Sequence, residues 1–209
     1  MKITEVKTLL FPEVKVIKYG RFSDDRGYFT ETFRKSDINI NTDTYFLKKN
    51  DFVQVNESFS KTGTIRGLHF QWNPYLAKLI RTVSGHMVDL VVDIRKGSPN
   101  FGKIIAYDMP QSPGDNIGQW IWVPVGFAHG NFFIKDTTIE YFCTSEYSPK
   151  SEAGISPLSS DIDWSICDET LRRQFQELIK NKPLISEKDK AGLTLESWKK
   201  DPRSQNFIY

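Results

Sequence analysis

The chain has 209 residues, of which 39% are hydrophobic, 26% charged and 13% aromatic, a composition that fits a folded globular protein and excludes disordered, collagen-like and membrane-helix classes. Its 28 Lys and Arg against 26 Asp and Glu leave a formal net charge of +2. That is too small for the surface as a whole to draw in nucleic acid or a membrane, so neither is expected as a partner and any anion binding has to be local.

From the N-terminus, MKITEVKTLL is broken by Glu5 and Lys7 and holds no apolar run of signal-peptide length. The most apolar stretch, Trp120 to Ala128, contains Pro124 and Gly126 and falls far short of the roughly 20 residues of a spanning helix. The chain therefore reads as soluble and unprocessed. Its two cysteines, Cys143 and Cys167, have neither disulfide-framework nor metal-knuckle spacing, which suits reduced thiols in a cytoplasmic protein.

The segment FSDDRGYFTE sets Asp24, Arg26, Phe29 and Glu31 around a turn-forming Gly27; the arginine suits a phosphate, and a surface turn closed by an ion pair accounts for it equally well. In the run Phe52 to Phe59, Gln54 and Asn56 share one strand face and Val53 and Val55 the other. TIRGLHFQ then brings Arg66 and His69 about Gly67, and Lys78 opens an otherwise apolar run. Three basic groups converging from neighbouring strands make a poor core unless an anionic ligand or partner joins them. His69-Phe70-Gln71 offers one metal ligand where a His-x-His pair would offer two, so no metal is expected.

Lys78 to Val83, a turn at Ser84-Gly85, and the alternating run His86 to Ile94 read as a β-hairpin. Further short runs follow at 102–107, 119–123, 132–134 and 138–144, separated by turn-rich RKGSPN and QSPGDN. His129 lies in VPVGFAHGN, Tyr141 in IEYFCTSEY, and Tyr147 six residues on, a spacing that keeps both tyrosines on one face of a regular strand. Helical periodicity appears only late, at Leu171, Phe175, Leu178 and Ile179, with a further short turn in LTLESWKK. The expected architecture is an antiparallel β-sandwich or barrel over residues 1–167 with a C-terminal helical extension, 168–209, packed on the same domain.

The segments FSDDRGYFTETF, QVNESFSKTGTIRGLHFQ, AKLIRTVSGHMVDLVVDIRKGSPNFGK, WIWVPVGFAHGNFF and YFCTSEYSP together resemble the dTDP-4-dehydrorhamnose 3,5-epimerase family of nucleotide-sugar epimerases. PVGFAH is similar to the second cupin motif, whereas RGLHFQ lacks the metal-binding histidine pair of the first. The resemblance runs in the family's order from about Phe22 to Pro149. It implies an all-β double-stranded β-helix (cupin jelly roll), a homodimer, and a cofactor-free isomerase acting on a nucleoside-diphosphate 4-keto-6-deoxyhexose.

By the same resemblance His69 matches the family's base and Tyr141 its acid, with Lys78 and Arg66 stabilising an enolate oxygen. Arg26, Phe29 and Glu31 match nucleotide contacts made in some members across a dimer interface. Gln54, Asn56, His129 and Tyr147 match positions lining the nucleotide-sugar site. The resemblance also implies an aspartate, from a WNDP-like segment, that orients the histidine; here that stretch reads ISPLSSDIDW, with Leu158 or Ser159 at the position and Asp161 or Asp163 as the candidates to replace it. The altered segment leaves three alternatives beside double epimerisation: inversion at only C3 or C5, another 4-keto sugar nucleotide, and binding without catalysis.

Overall fold

The computed structural model describes residues 1–209. Its strands, numbered in chain order, are β1 (Ile3–Thr8), β2 (Lys15–Gly20), β3 (Phe22–Asp24), β4 (Gly27–Phe29), β5 (Gln54–Ser60), β6 (Ile65–Gln71), β7 (Lys78–Asp93), β8 (Ile104–Gln111), β9 (Ile117–Val123), β10 (Phe127–Phe133), β11 (Thr137–Cys143) and β12 (Glu152–Gly154). Helices α1 (Lys35–Ile40), α2 (Glu169–Lys180), α3 (Glu187–Lys190) and α4 (Leu195–Lys200) complete it. All strand pairings are antiparallel: β1-β2-β9-β7-β11-β5 make one sheet, β8-β7-β10-β6-β12 a second facing it, and β3-β4 a separate hairpin.

The two sheets share β7, and here the expected hairpin is corrected. Instead of turning at Ser84-Gly85, β7 runs unbroken for 16 residues, pairing with β9 and β11 before Gly85 and with β8 and β10 after it. Gly85 takes φ +104, and a Cβ there would lie 2.3 Å from the Asp136 carbonyl oxygen. The glycine thus serves a strand that changes sheets at a corner, which a turn signal in the sequence does not distinguish from a hairpin.

Alternation along β7 also fills two layers. Met87 and Val91 join Val16, Ile80, Phe127 and Phe133 between the sheets, while Val88, Leu90 and Val92 face outward into a second core with Phe175, Leu195, Trp198 and Phe207. The C-terminal helices therefore cover the outer face of the second sheet. Asp168 caps α2 by accepting the Leu171 N–H at 3.0 Å, and Phe175 stacks on Trp164 at 4.9 Å. On the other side, Ile38 and Leu47 cover Ile17, Leu79, Trp120 and Trp122 of the first sheet. The result is a jelly roll in which the outer face of the second sheet is covered, that of the first is covered except along β5, and one end of the inter-sheet space is open. No helix is long and apolar enough to cross a membrane.

Candidate active site

The open end holds a cavity of about 380 Å³ whose walls come from both sheets. Lys78, first residue of β7, is flanked in register by Val123 of β9 and Cys143 of β11, and Cys143 in turn by Gln54 of β5. Two residues along, and so on the same face, Tyr141 pairs with Asn56. From the facing sheet come His69 of β6 and its cross-strand partner His129 of β10. Close approach of β6 to β10 needs Gly67, at φ +105, where a Cβ would lie 2.6 Å from Gly130 Cα.

His69 donates from Nε2 to Asp189 Oδ1 at 2.7 Å, leaving its Nδ1 lone pair unengaged by the chain. Asp189 is buried and also accepts the Gly67 N–H at 3.3 Å. Burial alone would raise its pKa, but the hydrogen bond and charge of His69, with the Gly67 and Ser186 contacts, outweigh this and hold the carboxyl below the ordinary aspartate range. This corrects the expectation for the histidine's partner. Asp161 instead caps α4, accepting the Glu196 N–H at 2.8 Å, and Asp163 accepts the Ser165 N–H at 2.8 Å; neither contacts His69.

A second carboxylate–imidazole pair lies deeper, where His129 Nε2 meets Asp89 Oδ2 at 2.7 Å. Asp89 is fully buried, which drives its pKa up against the pull of His129 and Lys78. Its Oδ1, and Oδ1 of its cross-strand neighbour Asn131, have no partner in the chain. Burial lowers the pKa of Lys78, whose Nζ stands 5.6 Å from the Tyr141 ring centroid. Burial, helped by the Cys143 thiol, raises that of Tyr141 against the opposing charge of Arg66.

His69, Lys78, Tyr141, Gln54, Asn56, His129 and Tyr147 thus share one cavity, and Arg66 lines the adjoining space with His69, Lys78 and Tyr141. Gln54 and Asn56 are hydrogen-bonded to each other at 3.0 Å, and Gln54 Oε1 accepts the Tyr147 N–H at 2.9 Å. Tyr147 lies past the end of β11, half exposed at the mouth. Arg26, Phe29 and Glu31 are not in this cavity. Arg26 sits on the β3–β4 hairpin in an ion pair with Asp24, Phe29 is 68% exposed, and Glu31 holds the Met1 amino group and Arg34.

Four site residues escaped the sequence reading: Asp89, Glu152, Lys188 and Asp189. Glu152, on the cavity wall, accepts from Tyr147 Oη at 2.9 Å and from Lys188 Nζ at 2.7 Å. Ser186, whose hydroxyl accepts the Asp189 N–H at 3.1 Å, marks the start of α3, a capping signal legible in SEKD; nothing in the sequence links that helix to His69. No three His, Cys, Asp or Glu side chains gather as a metal cage.

A jelly roll with an oriented histidine on one wall and a tyrosine and lysine on the other is a fold and site suited to proton transfer at a small polar ligand. A family model described as dTDP-4-dehydrorhamnose 3,5-epimerase matches residues 8–197, and the chain belongs to that family. It is 41% identical over 152 residues to the dTDP-4-dehydrorhamnose 3,5-epimerase of Sinorhizobium fredii, covering 71% of this chain and 73% of that one. Among solved structures, the dTDP-6-deoxy-D-glucose-3,5-epimerase of Legionella pneumophila in complex with dTDP-4-keto-L-rhamnose superposes with a TM-score of 0.75 at 31% identity, covering 92% and 93% of the two chains. The Mycobacterium tuberculosis epimerase gives 0.77 at 30% identity, with 98% of each chain covered.

Proposed function

We propose that the protein is an isomerase that inverts C3 and C5 of a dTDP-linked 4-keto-6-deoxyhexose. The observation that carries this reading is the placement of His69 and Tyr141 on facing sheets across one cavity. Inversion requires a proton to leave one face of the sugar ring and return to the other. The C4 ketone acidifies the adjacent C–H bonds; His69 Nδ1 takes the proton, the C–H electron pair moves into a C3–C4 or C4–C5 double bond, and the ketone oxygen becomes an enolate. Tyr141 then delivers a proton to the same carbon from the opposite face, restoring the ketone. No electrons enter or leave, so the chemistry needs no redox cofactor.

Each supporting group has a physical task. Asp189, by accepting from Nε2–H, fixes the tautomer that presents Nδ1 as base. Lys78 and Arg66 stabilise the enolate oxygen in a site where charge interactions are little screened. Raising the Tyr141 pKa keeps the phenol protonated until the carbanion draws its proton. Gln54, Asn56, His129 and Tyr147 bind the nucleotide sugar.

The functional unit is a homodimer in the cytoplasm. Val53, Val55 and Phe59 leave an apolar outer face along β5, each more than half exposed, and Phe22 and Phe29 leave another on the hairpin. A second copy covers such faces and brings Arg26, Phe29 and Glu31 to its partner's nucleotide.

The test is incubation with dTDP-4-keto-6-deoxyglucose in D₂O, following the C3 and C5 protons by NMR. Loss of both signals is expected, with the rate falling by about 10² to 10⁴ in His69→Ala. Exchange at one carbon only would redefine the protein as a single-centre epimerase, and retention of both signals would refute epimerisation of this substrate.

A further inference from the structure

The cavity has two chemically unlike flanks, and the roles proposed above fall on only one of them. On one side of Lys78 the in-register row runs to Cys143 and Gln54, where Gln54 and its bonded neighbour Asn56 present amides. On the other side stands Val123, and the wall continues through Pro124 and Phe127 with no side-chain donor or acceptor. Val123 and Phe127 are 3% and 4% exposed. The Phe127 ring is held between Phe11, centroids 5.4 Å apart, and the Arg95 guanidinium, 4.5 Å from its centroid, so it cannot swing aside to admit a polar group and its water.

A 4-keto hexose with its carbonyl oxygen at Lys78 is itself two-sided: C3 carries a hydroxyl, and C5 carries the exocyclic C6. We propose that Val123 and Phe127 form the seat for C6 and select a methyl there over a hydroxymethyl, so that this pair makes the site specific for 6-deoxy sugars; the inference rests on the function proposed above. A hydroxyl pressed against Val123, Pro124 and Phe127 loses its water partners and finds no side-chain partner among them, whereas a methyl gains burial. The C3 hydroxyl turned the same way suffers the same loss, so the wall also sets which way round the ring lies, with C3 toward Gln54 and Asn56.

The test compares dTDP-6-deoxyglucose with dTDP-glucose, stable ligands that differ only by the C6 hydroxyl, by titration calorimetry. Wild type is expected to bind the 6-deoxy ligand more tightly by up to about 10²-fold, the limit for an apolar pocket rejecting an added hydroxyl. Val123→Thr, of equal shape but with a hydroxyl, is expected to shrink that ratio about tenfold. In wild type bound to dTDP-6-deoxyglucose, nuclear Overhauser contacts are expected from the C6 methyl to the Val123 methyls and Phe127 ring, a readout independent of any variant's folding. Equal affinities in wild type, a ratio unmoved in Val123→Thr, or Overhauser contacts from C6 to other residues only would overturn the inference while leaving epimerisation intact. Failure of wild type to exchange either ring proton of the 4-keto substrate in D₂O would instead remove the reading beneath it.

Discussion

His69 meets a carboxylate that the chain supplies 120 residues further on, and this pairing sets what single substitutions should do. Asp189→Asn keeps the shape but can donate an N–H to the ring, favouring the other tautomer; exchange is expected to slow on the order of 10²-fold with little change in ligand affinity, separable by kinetics and calorimetry. The same carboxylate, with Glu152, predicts a pH dependence of stability. Both are held below the ordinary range, Glu152 because the Lys188 and Tyr147 hydrogen bonds outweigh its burial. Their contribution is present above the unfolded values near about 4 and is lost as pH falls through the lower folded values. Thermal scans across acidic pH should show a falling Tm in wild type and a shallower fall in Asp189→Asn, so that the gap between the two, widest at neutral pH, closes as the pH falls.

At the scale of elements, what was legible in the sequence and what was not divide along local against long-range information. Alternation at Gln54 and Asn56 placed both amides on one face, and both line the cavity; the spacing of Leu171, Phe175 and Leu178 marked α2. At Gly85 the signal is ambiguous, because a lone glycine between apolar runs marks a break in direction without stating which kind. Asp189 was invisible for another reason: its segment is tied to β6 and β12 by bridges Thr64–Leu184 and Ile155–Leu193, contacts that no periodicity encodes. The corner itself is testable. Gly85→Ala forces a Cβ against the Asp136 carbonyl at an unfavourable φ and is expected to destabilise the fold by more than about 2 kcal/mol in chemical denaturation.

At the scale of the whole molecule, the resemblance in the sequence predicted an assembly as well as a fold, and one chain leaves the corresponding surfaces uncovered. Phe29→Asp on the exposed hairpin is expected to shift the protein from twice the mass of the chain to one chain's mass in sedimentation equilibrium. It should also weaken nucleotide binding, while His69 and Tyr141 keep their places within each subunit. A wild-type protein sedimenting as a single chain would reject the dimer and, with it, the assignment of Arg26 and Glu31 to the nucleotide.

Because β7 belongs to both sheets, Lys78 and Asp89 lie on one uninterrupted strand to either side of its corner. Insertion of one residue between them would leave Lys78 facing the cavity but rotate every later side chain of β7 to the opposite face, exchanging Asp89 and Val91 with Val88 and Leu90. A buried carboxylate would then enter the apolar layer beneath the C-terminal helices, and His129 would lose its partner. An insertion scan along β7 should accordingly read out the parity of the strand, with lone insertions abolishing folding and paired ones at the bend recovering part of it.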